Sequence, residues 1–269
     1  MPRKYFEHFG CVIGDEAHMF KAKSLTGIMT KLHQCKYRFG LTGTLDGSQT
    51  HKLVLEGLFG TAEKVVSTKE LIDKKTLANL KIKCIVLKHP TKKERMDYVE
   101  EMDYIVSRES RNKFILDLCK NISGNTLCLF QLVEKHGKIL HDGMKGGENV
   151  YFVYGGTDTE QREKIRGLVE GHTKSTTIAS YGTFSTGINI RNINNIVLAS
   201  PSKSKIRVLQ SIGRGLRTSS TKDSILIFDI ADDISYGERR NFTLNHFFER
   251  INIYNEEQFN YEISKVKIK

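Results

Sequence analysis

The stretch CVIGDEAHMF, Cys11–Phe20, runs from an apolar segment into two adjacent carboxylates and a histidine. The segment Cys11–Ile13 is typical of a short β-strand, and a strand covered on both faces has no water at its end to solvate Asp15 and Glu16. The pair therefore indicates either an open site at the strand end or an acidic cap on a following helix. In a site, one carboxylate would hold a hydrated Mg²⁺ and its neighbour would deprotonate an attacking water.

Apolar runs of the same kind recur along the chain and are separated by segments of helical length. Several contain no polar alternation, as expected of strands with both faces covered, and strands joined by helices form parallel βαβ units. The sequence therefore predicts an α/β fold built on parallel sheets. After Cys11–Asp15, the predicted strands are YRFGLTG (Tyr37–Gly43), LKIKCIVLKH (Leu80–His89), NTLCLFQ (Asn125–Gln131), NVYFVYGG (Asn149–Gly156), STTIASYG (Ser175–Gly182), NNIVLAS (Asn194–Ser200) and SILIFDI (Ser224–Ile230).

The segments between the strands predict amphipathic helices, beginning with Ser24–His33. The charged stretch Pro90–Lys113 has no strand pattern and predicts a helical connector. We therefore expect a first domain over residues 1–80 and a second over 81–269, with the connector at its start. Core packing is predicted for one stripe at helical spacing, formed by Phe114, Ile115, Leu118, Cys119 and Ile122.

Length and charge limit the class of protein. The 269 residues are enough for two packed domains, and 42 lysines and arginines against 31 acidic residues give a net charge of +11. This excess favours a polyanionic partner such as nucleic acid, with a merely solubilising surface as the alternative. The five cysteines show no C-x-x-C spacing, and neither a membrane span nor a signal-peptide core is evident. We expect reduced thiols, no membrane and a cytoplasmic location.

Three further strand ends carry small or hydroxylated residues. LTGTL (Leu41–Leu45) is typical of a turn, and VYGGTDTEQRE (Val153–Glu163) combines two glycines with a helix cap. ASYGTFSTGINI (Ala179–Ile190) places glycines and hydroxyl groups after a strand. Each segment fits an ordinary loop, and the last two also fit a loop that contacts phosphate oxygens.

The segment QSIGRGLR, Gln210–Arg217, is the most specific of these motifs. Gln210, Arg214 and Arg217 lie at i, i+4 and i+7, within about 60° on one face of a helix. Exposed arginines are usually only solvated surface, but planar guanidinium groups also suit the charge on a transferring phosphoryl group. The opposite face is apolar and predicts packing through Leu209, Ile212 and Leu216.

Taken in order and spacing, DEAH (Asp15–His18), LTGT (Leu41–Thr44), TLCLF (Thr126–Phe130), ASYGTFSTGINI and QSIGRGLR resemble motifs II to VI of the superfamily 2 helicases. The resemblance runs from about residue 3 to the C-terminus and is strongest to phage DNA helicases of recombination and repair. It implies RecA-like helicase domains, ATP and Mg²⁺ as cofactors, and DNA, branched or single-stranded, as the partner. The ordered set is far more specific than any one motif.

Carried over residue by residue, the resemblance assigns roles in the first domain. Asp15 becomes the Mg²⁺ ligand, with Glu16 beside it as the base for the attacking water. His18 becomes a link between the nucleotide state and the domain interface. Coupling of hydrolysis to motion is assigned to Thr42, Gly43 and Thr44.

The resemblance also assigns residues of the second domain. Gly187 and Asn189 would face the nucleotide across the cleft, although helicases often have Asp at the position of Asn189. Gln210 would contact the nucleotide or the DEAH loop. Arg214 and Arg217 would act as arginine fingers.

One family motif is missing from the chain. No phosphate-binding loop of the form G-x-x-x-x-G-K-S/T occurs, and the nearest glycine-lysine pair, Gly137-Lys138, is followed by Ile139. The first RecA-like domain is therefore expected to be incomplete, with unpaired strand edges and apolar surface exposed. Three origins fit the missing motif. The chain is a fragment of a longer gene, the product of a split gene whose N-terminal helicase segment is supplied in cis or in trans, or a decayed DNA-binding protein.

The sequence thus predicts the C-terminal part of an ATP-dependent DNA helicase or translocase, inactive in hydrolysis by itself. The resemblance suggests branched DNA in phage recombination, repair or replication, and hence the host cytoplasm. The alternatives are a non-catalytic DNA-binding module and the motor subunit of a restriction system.

Overall fold

The structure is a computed structural model that describes residues 2–20, 22–43, 45, 48–90, 96–187, 190–202, 204–216, 222–236 and 239–269, the side chains of 185–187 and 205–207 excepted. The chain forms two compact units. The first comprises Met1–Val66 with Ser204–Gln210, and the second comprises Ser67–Lys203 with Ser211–Lys269.

The first unit is built on two parallel strands. Strand β1, Cys11–Gly14, is followed by helix α1, Lys23–Lys31, strand β2, Tyr37–Gly40, and helix α2, Gln49–Phe59. The strands pair in register from Cys11 opposite Tyr37 to Gly14 opposite Gly40. Short 3₁₀ segments lie at Arg3–His8 and Ala17–Met19.

The two faces of this small sheet differ. On one face Phe59 packs so closely that a Cβ atom on Gly14 or Gly40 would lie 2.9 Å from its ring, which explains a glycine at the end of each strand. The side chains of Ile13 and Phe39 point to the other face and are 65% and 53% exposed. Within the described residues, this sheet has one covered face and one open apolar face.

The second unit contains seven parallel strands in the order β5-β6-β4-β7-β8-β3-β9. Side chains of β4, β6 and β7 are buried on both faces, which explains their continuous apolar or small residues. The strands are β3 Asn79–Lys88, β4 Asn125–Phe130, β5 Val150–Val153, β6 Ser175–Ser180, β7 Asn195–Leu198, β8 Ser224–Asp233 and β9 Tyr261–Lys267.

Helices cover both faces of this sheet and connect its strands. A π-helical turn, Val133–Gly137, precedes α6, and α9 begins in the part of the chain that groups with the first unit. The helices are α3 Thr68–Asp73, α4 Tyr98–Ser107, α5 Glu109–Asn121, α6 Lys138–Gly143, α7 Thr159–Gly171, α8 Tyr181–Gly187, α9 Lys205–Gly215 and α10 Phe242–Glu256.

The predicted α/β fold with parallel sheets is confirmed, and every strand expected from an apolar run is present. Strand β9 was not expected, because most of its side chains are exposed and no apolar run marks it. The compact units divide between residues 66 and 67, whereas the domains predicted from the sequence divide between residues 80 and 81. Helix α3 and the whole of β3 belong to the second unit because β3 pairs with β8 and β9 along its length.

The core of the second unit lies between the sheet and its helices. The stripe predicted on α5 packs there, with Ile115 and Cys119 buried and Phe114, Leu118 and Ile122 packed against the same cluster. All five cysteines are free thiols. Among the described helices, none combines the length and the apolarity that a membrane span requires.

Two buried carboxylates fasten α10 to the second unit. The guanidinium of Arg250 donates to both carboxylate oxygens of Asp229 on β8, at 2.7 to 3.0 Å, and the Tyr254 hydroxyl donates to Asp229 at 2.8 Å. Glu101 on α4 accepts hydrogen bonds from the backbone N–H groups of Phe242 and Thr243, at the start of α10. The C-terminal helix is therefore held by buried polar contacts as well as by packing.

Candidate functional site

The DEAH segment forms the turn at the carboxyl end of β1. Its second residue, Glu16, has a φ of 48°, in the left-handed region that a non-glycine residue occupies only at a cost of about 1 kcal/mol or more. The Asp15 carboxylate accepts a hydrogen bond from the Glu16 N–H at 2.8 Å, which supports this conformation. The turn is tied to the end of β2, because the Ala17 N–H donates to the Leu41 carbonyl at 2.8 Å.

His18 connects the two predicted motifs of the first unit. It is 4% exposed, and its Nδ1 atom lies 2.9 Å from Thr42 Oγ1 and 3.2 Å from Glu16 Oε2. A carboxylate can only accept, so Nδ1 carries a proton in the Glu16 contact, and the other ring nitrogen is Nε2. Gln210, which groups with the first unit, has its side-chain nitrogen 3.5 Å from that Nε2 atom.

The carboxylates of Asp15 and Glu16 are exposed, whereas the side chain of His18 is buried. Among the described residues there is no group of three or more histidine, cysteine or acidic side chains placed to hold a metal ion. A site with one or two carboxylates fits Mg²⁺, which takes few protein ligands and fills its octahedron with waters and substrate phosphates. The residues present therefore fit a metal bound together with a nucleotide.

Helix α9 carries Arg214, one of the two predicted arginine fingers. Ile212 and Leu216 are buried, as expected for the packing face, and the Arg214 guanidinium lies 5.7 Å from the ring centroid of Phe184 on α8. This cation–π contact joins the two segments that resemble motifs V and VI. Gly187 is the last residue of α8. The predicted residues Thr44, Asn189 and Arg217 lie outside the described part of the chain.

The end of α9 is held by contacts that the sequence did not suggest. The buried Lys222 ammonium donates to the Gly215 carbonyl, and the Ala78 N–H donates to the Leu216 carbonyl at 2.9 Å. Burial lowers the pKa of Lys222 to about 8. A cation at the C-terminus of a helix satisfies carbonyl groups that have no partner within the helix.

Reasoning from the sequence also missed a buried polar cluster at the carboxyl edge of the seven-stranded sheet. Arg111 donates to Asp232 at 2.8 and 2.9 Å, and His136 Nδ1 lies 2.9 Å from Ser200 Oγ. Burial and the nearby Arg111 charge lower the pKa of His136 to about 3. Burial alone would raise the pKa of Asp232, but Arg111 and a hydrogen bond with His89 outweigh it and lower the pKa to about 2.

Comparison with known proteins shows the family to which this chain belongs. Residues 110–219 match the family described as "Helicase conserved C-terminal domain". The whole chain is similar to the ATP-dependent DNA helicase uvsW of Enterobacteria phage T4, with 34% identity over 285 residues, covering 99% of this chain and 57% of that helicase. The crystal structure of T4 UvsW matches with a TM-score of 0.60, and this chain spans 56% of it.

More distant solved structures share the fold alone. One is the ATP-dependent Type ISP restriction-modification enzyme LlaBIII bound to DNA, with a TM-score of 0.65, 12% identity, and coverage of 96% of this chain and 22% of that enzyme. Another is S. cerevisiae Dbp5 bound to RNA and ADP BeF3, with a TM-score of 0.59, 12% identity, and coverage of 96% and 59%. This chain spans about half the length of the curated relatives that it matches over most of its own length.

Proposed function

Since this chain belongs to the superfamily 2 helicases and carries their conserved C-terminal domain, we propose that it forms part of the ATP-dependent motor of a DNA helicase or translocase. The observation that carries the proposal is the contact between the DEAH turn and the LTGT turn through His18 and Thr42. Such a contact lets a change at the carboxylates reach the neighbouring loop. A helix cap formed by Asp15 alone does not explain this contact.

The two carboxylates would divide the chemistry of ATP hydrolysis. Asp15 would hold a hydrated Mg²⁺, which when bound neutralises charge on the phosphates. Glu16 is exposed and would accept the proton of the attacking water. Its strained backbone and the His18 contact hold the carboxylate at the end of β1.

Residues of both units would complete the nucleotide site. Arg214 and Arg217 would stabilise charge on the transferring phosphoryl group, because a guanidinium matches phosphate oxygens with two parallel hydrogen bonds. We assign nucleotide contacts to Gly187, Asn189 and Gln210. Coupling to motion is assigned to Thr42, Gly43 and Thr44.

Hydrolysis would also require a phosphate-binding segment that this sequence does not contain, supplied in cis or in trans. The open apolar face of the first unit supports this requirement, because Ile13, Tyr37, Phe39 and Leu41 are each more than half exposed. Exposed apolar surface of this kind usually marks an interaction site. We propose that the segment completes the sheet of the first unit and covers this face.

The partner would be DNA, and the similarity to a phage DNA helicase makes branched recombination, repair or replication intermediates in the host cytoplasm the proposed substrates. A net charge of +11 supports a polyanionic partner. Binding should weaken steeply with salt, because each phosphate contact releases counterions.

The test of the catalytic assignment is Glu16→Gln in the chain combined with its phosphate-binding segment. The amide cannot accept the proton of the water, so turnover should be abolished while ATP binding is retained. Glu63→Gln is the matched control, since it removes one exposed charge from the same unit and should change neither quantity. An equal loss of binding and of rate would contradict Glu16 as the base.

A further inference from the structure

Five neighbouring strands of the second unit end in one buried hydrogen-bonded cluster. In the sheet they lie in the order β6-β4-β7-β8-β3. The Tyr181 hydroxyl, after β6, donates to the Ser200 carbonyl, after β7, at 3.0 Å. Asp232, near the end of β8, contacts His89, after β3, at 2.9 Å, and the Gln131 N–H, after β4, donates to Ser200 Oγ at 3.1 Å.

Arg111 and His136 complete this cluster. Arg111 lies on α5, is fully buried, and donates to Asp232, to the Ala199 carbonyl at 2.7 Å, and to His136 Nε2 at 3.5 Å. Because arginine can only donate, Nε2 is the acceptor and Nδ1 carries the proton of a neutral His136. Nδ1 therefore donates to Ser200 Oγ, whose two lone pairs are both occupied by the N–H groups of His136 and Gln131.

The cluster fixes the path of the chain after β4. There the backbone forms the π-helical turn Val133–Gly137, in which the N–H groups of His136 and Gly137 both donate to the Leu132 carbonyl, at 3.1 and 2.9 Å. A Cβ atom on Gly137 would lie 2.5 Å from the Phe130 ring, so the turn is wound tightly against the strand. Turns of this type are frequent at functional sites.

Gln131, between β4 and the turn, is exposed, and so is Gly182 after the neighbouring strand β6. In parallel α/β sheets, ligands bind outside the carboxyl ends of the strands, near the point where successive connections leave in opposite directions. Strand β4 connects to β5 on one side, and β6 connects to β7 on the other, which places that point at Gln131 and Gly182.

We infer that Arg111, His136 and Ser200 are positioning residues that hold the turn after β4 in the geometry with which it contacts a nucleic-acid strand. The inference rests on the proposed binding of DNA by this chain. The three residues are buried, so they would not touch the strand themselves. They act through the exposed residues of the turn.

Ser200→Ala is the sharpest test, because it deletes one hydroxyl and no charge. It leaves the N–H groups of Gln131 and His136 without their acceptor, so the turn should lose its fixed geometry. Tyr254→Phe is the matched control. It also deletes one buried hydroxyl, from the Arg250–Asp229 cluster on the same sheet, which does not contact the turn.

The measurement is fluorescence anisotropy of labelled oligothymidine with the full chain, at a temperature where thermal melting shows every variant to be folded. Ser200→Ala should weaken binding about tenfold, as expected for the loss of one or two buried hydrogen bonds, whereas Tyr254→Phe should bind like the parent. The slope of log Kd against log salt should not change, since no cation is removed. His136→Asn keeps the donor to Ser200 Oγ and should weaken binding less than His136→Leu.

Each outcome decides one question. If the parent chain does not bind the oligonucleotide at low salt, the proposed DNA binding is wrong and the inference falls with it. If the parent binds and folded Ser200→Ala binds equally well, the positioning role is overturned and the proposed function stands. Equal weakening in Ser200→Ala and Tyr254→Phe would also overturn it, because the effect would then reflect general destabilisation.

Discussion

The two units hold their polar side chains in opposite ways. In the first, Asp15 and Glu16 are exposed at the carboxyl end of strand β1, and one face of the two-stranded sheet is apolar and open. In the second, two arginine–carboxylate pairs are buried within a seven-stranded sheet covered by helices. Buried ion pairs therefore stabilise the second unit from within, whereas the carboxylates of the first unit are open to solvent and to a ligand, as the proposed nucleotide site requires.

Arg214→Lys in the completed enzyme should have the largest effect on function. Lysine keeps the charge but loses the planar fork, so hydrolysis should fall by about 10³-fold or more while ATP binding changes little. Arg191→Lys, at an exposed position of the same unit, is the control.

If Arg214→Lys melts normally and hydrolyses ATP near the parent rate, Arg214 is only a surface residue stacked on Phe184. The same experiment with Arg217→Lys tests the second arginine finger.

The next largest effect should be on stability and should separate the two units. Arg250→Met removes one partner of a buried ion pair and leaves Asp229 uncompensated, which typically costs about 3–5 kcal/mol. Phe39→Ser changes an exposed side chain of the first unit and should stay within about 0.5 kcal/mol.

Urea denaturation of both variants measures the contrast directly. Equal destabilisation would show that the face of β1 and β2 is packed in solution, and the difference between the units would be lost.

Acid should destabilise the second unit in a defined window of pH. His136 has a pKa of about 3 in the folded chain against an ordinary value of 6.5, so the unfolded chain takes up a proton first as the pH falls. The contribution of neutral His136 to the free energy of unfolding should therefore be complete above pH 6.5. It should decline as the pH falls toward 3, by at most about 1.4 kcal/mol per pH unit. Asp232, with a pKa of about 2 against 3.8, adds to the loss below about pH 4.

Thermal melting between pH 7 and pH 4 tests this assignment. His136→Asn should flatten the decline, because the variant has no imidazole to protonate. A parent chain whose melting temperature is constant over this range would contradict a neutral, buried His136.

Much of the fold could be predicted because burial leaves a local signal. Strands β4, β6 and β7 are buried on both faces, and their sequences are continuous runs of apolar or small residues. Strand β9 lies at the edge of the sheet, and its alternating lysines interrupt any such run. The compact units divide near residue 66, whereas the predicted domains divide at residue 80, because β3 joins its sheet through pairing with distant strands, which no local pattern records.

The candidate site divides in the same way. Asp15, Glu16 and His18 could be proposed because they lie within one four-residue motif, and Arg214 because helical spacing marks it, and their roles remain predictions. The contact between His18 and Thr42 joins residues 24 positions apart, and Arg111 reaches Asp232 across 121 positions. Arg111 lies in a highly charged stretch that is typical of a solvated connector, so its burial could not be read from composition.

The central claim is that the carboxylates of the first unit hydrolyse ATP only when a phosphate-binding segment completes their sheet. The most direct measurement is DNA-stimulated ATP hydrolysis by residues 1–269, alone and after addition or fusion of the segment that contains the G-x-x-x-x-G-K-S/T loop. We expect no DNA-stimulated turnover from the chain alone and robust turnover from the combination. Robust turnover by residues 1–269 alone would contradict the claim.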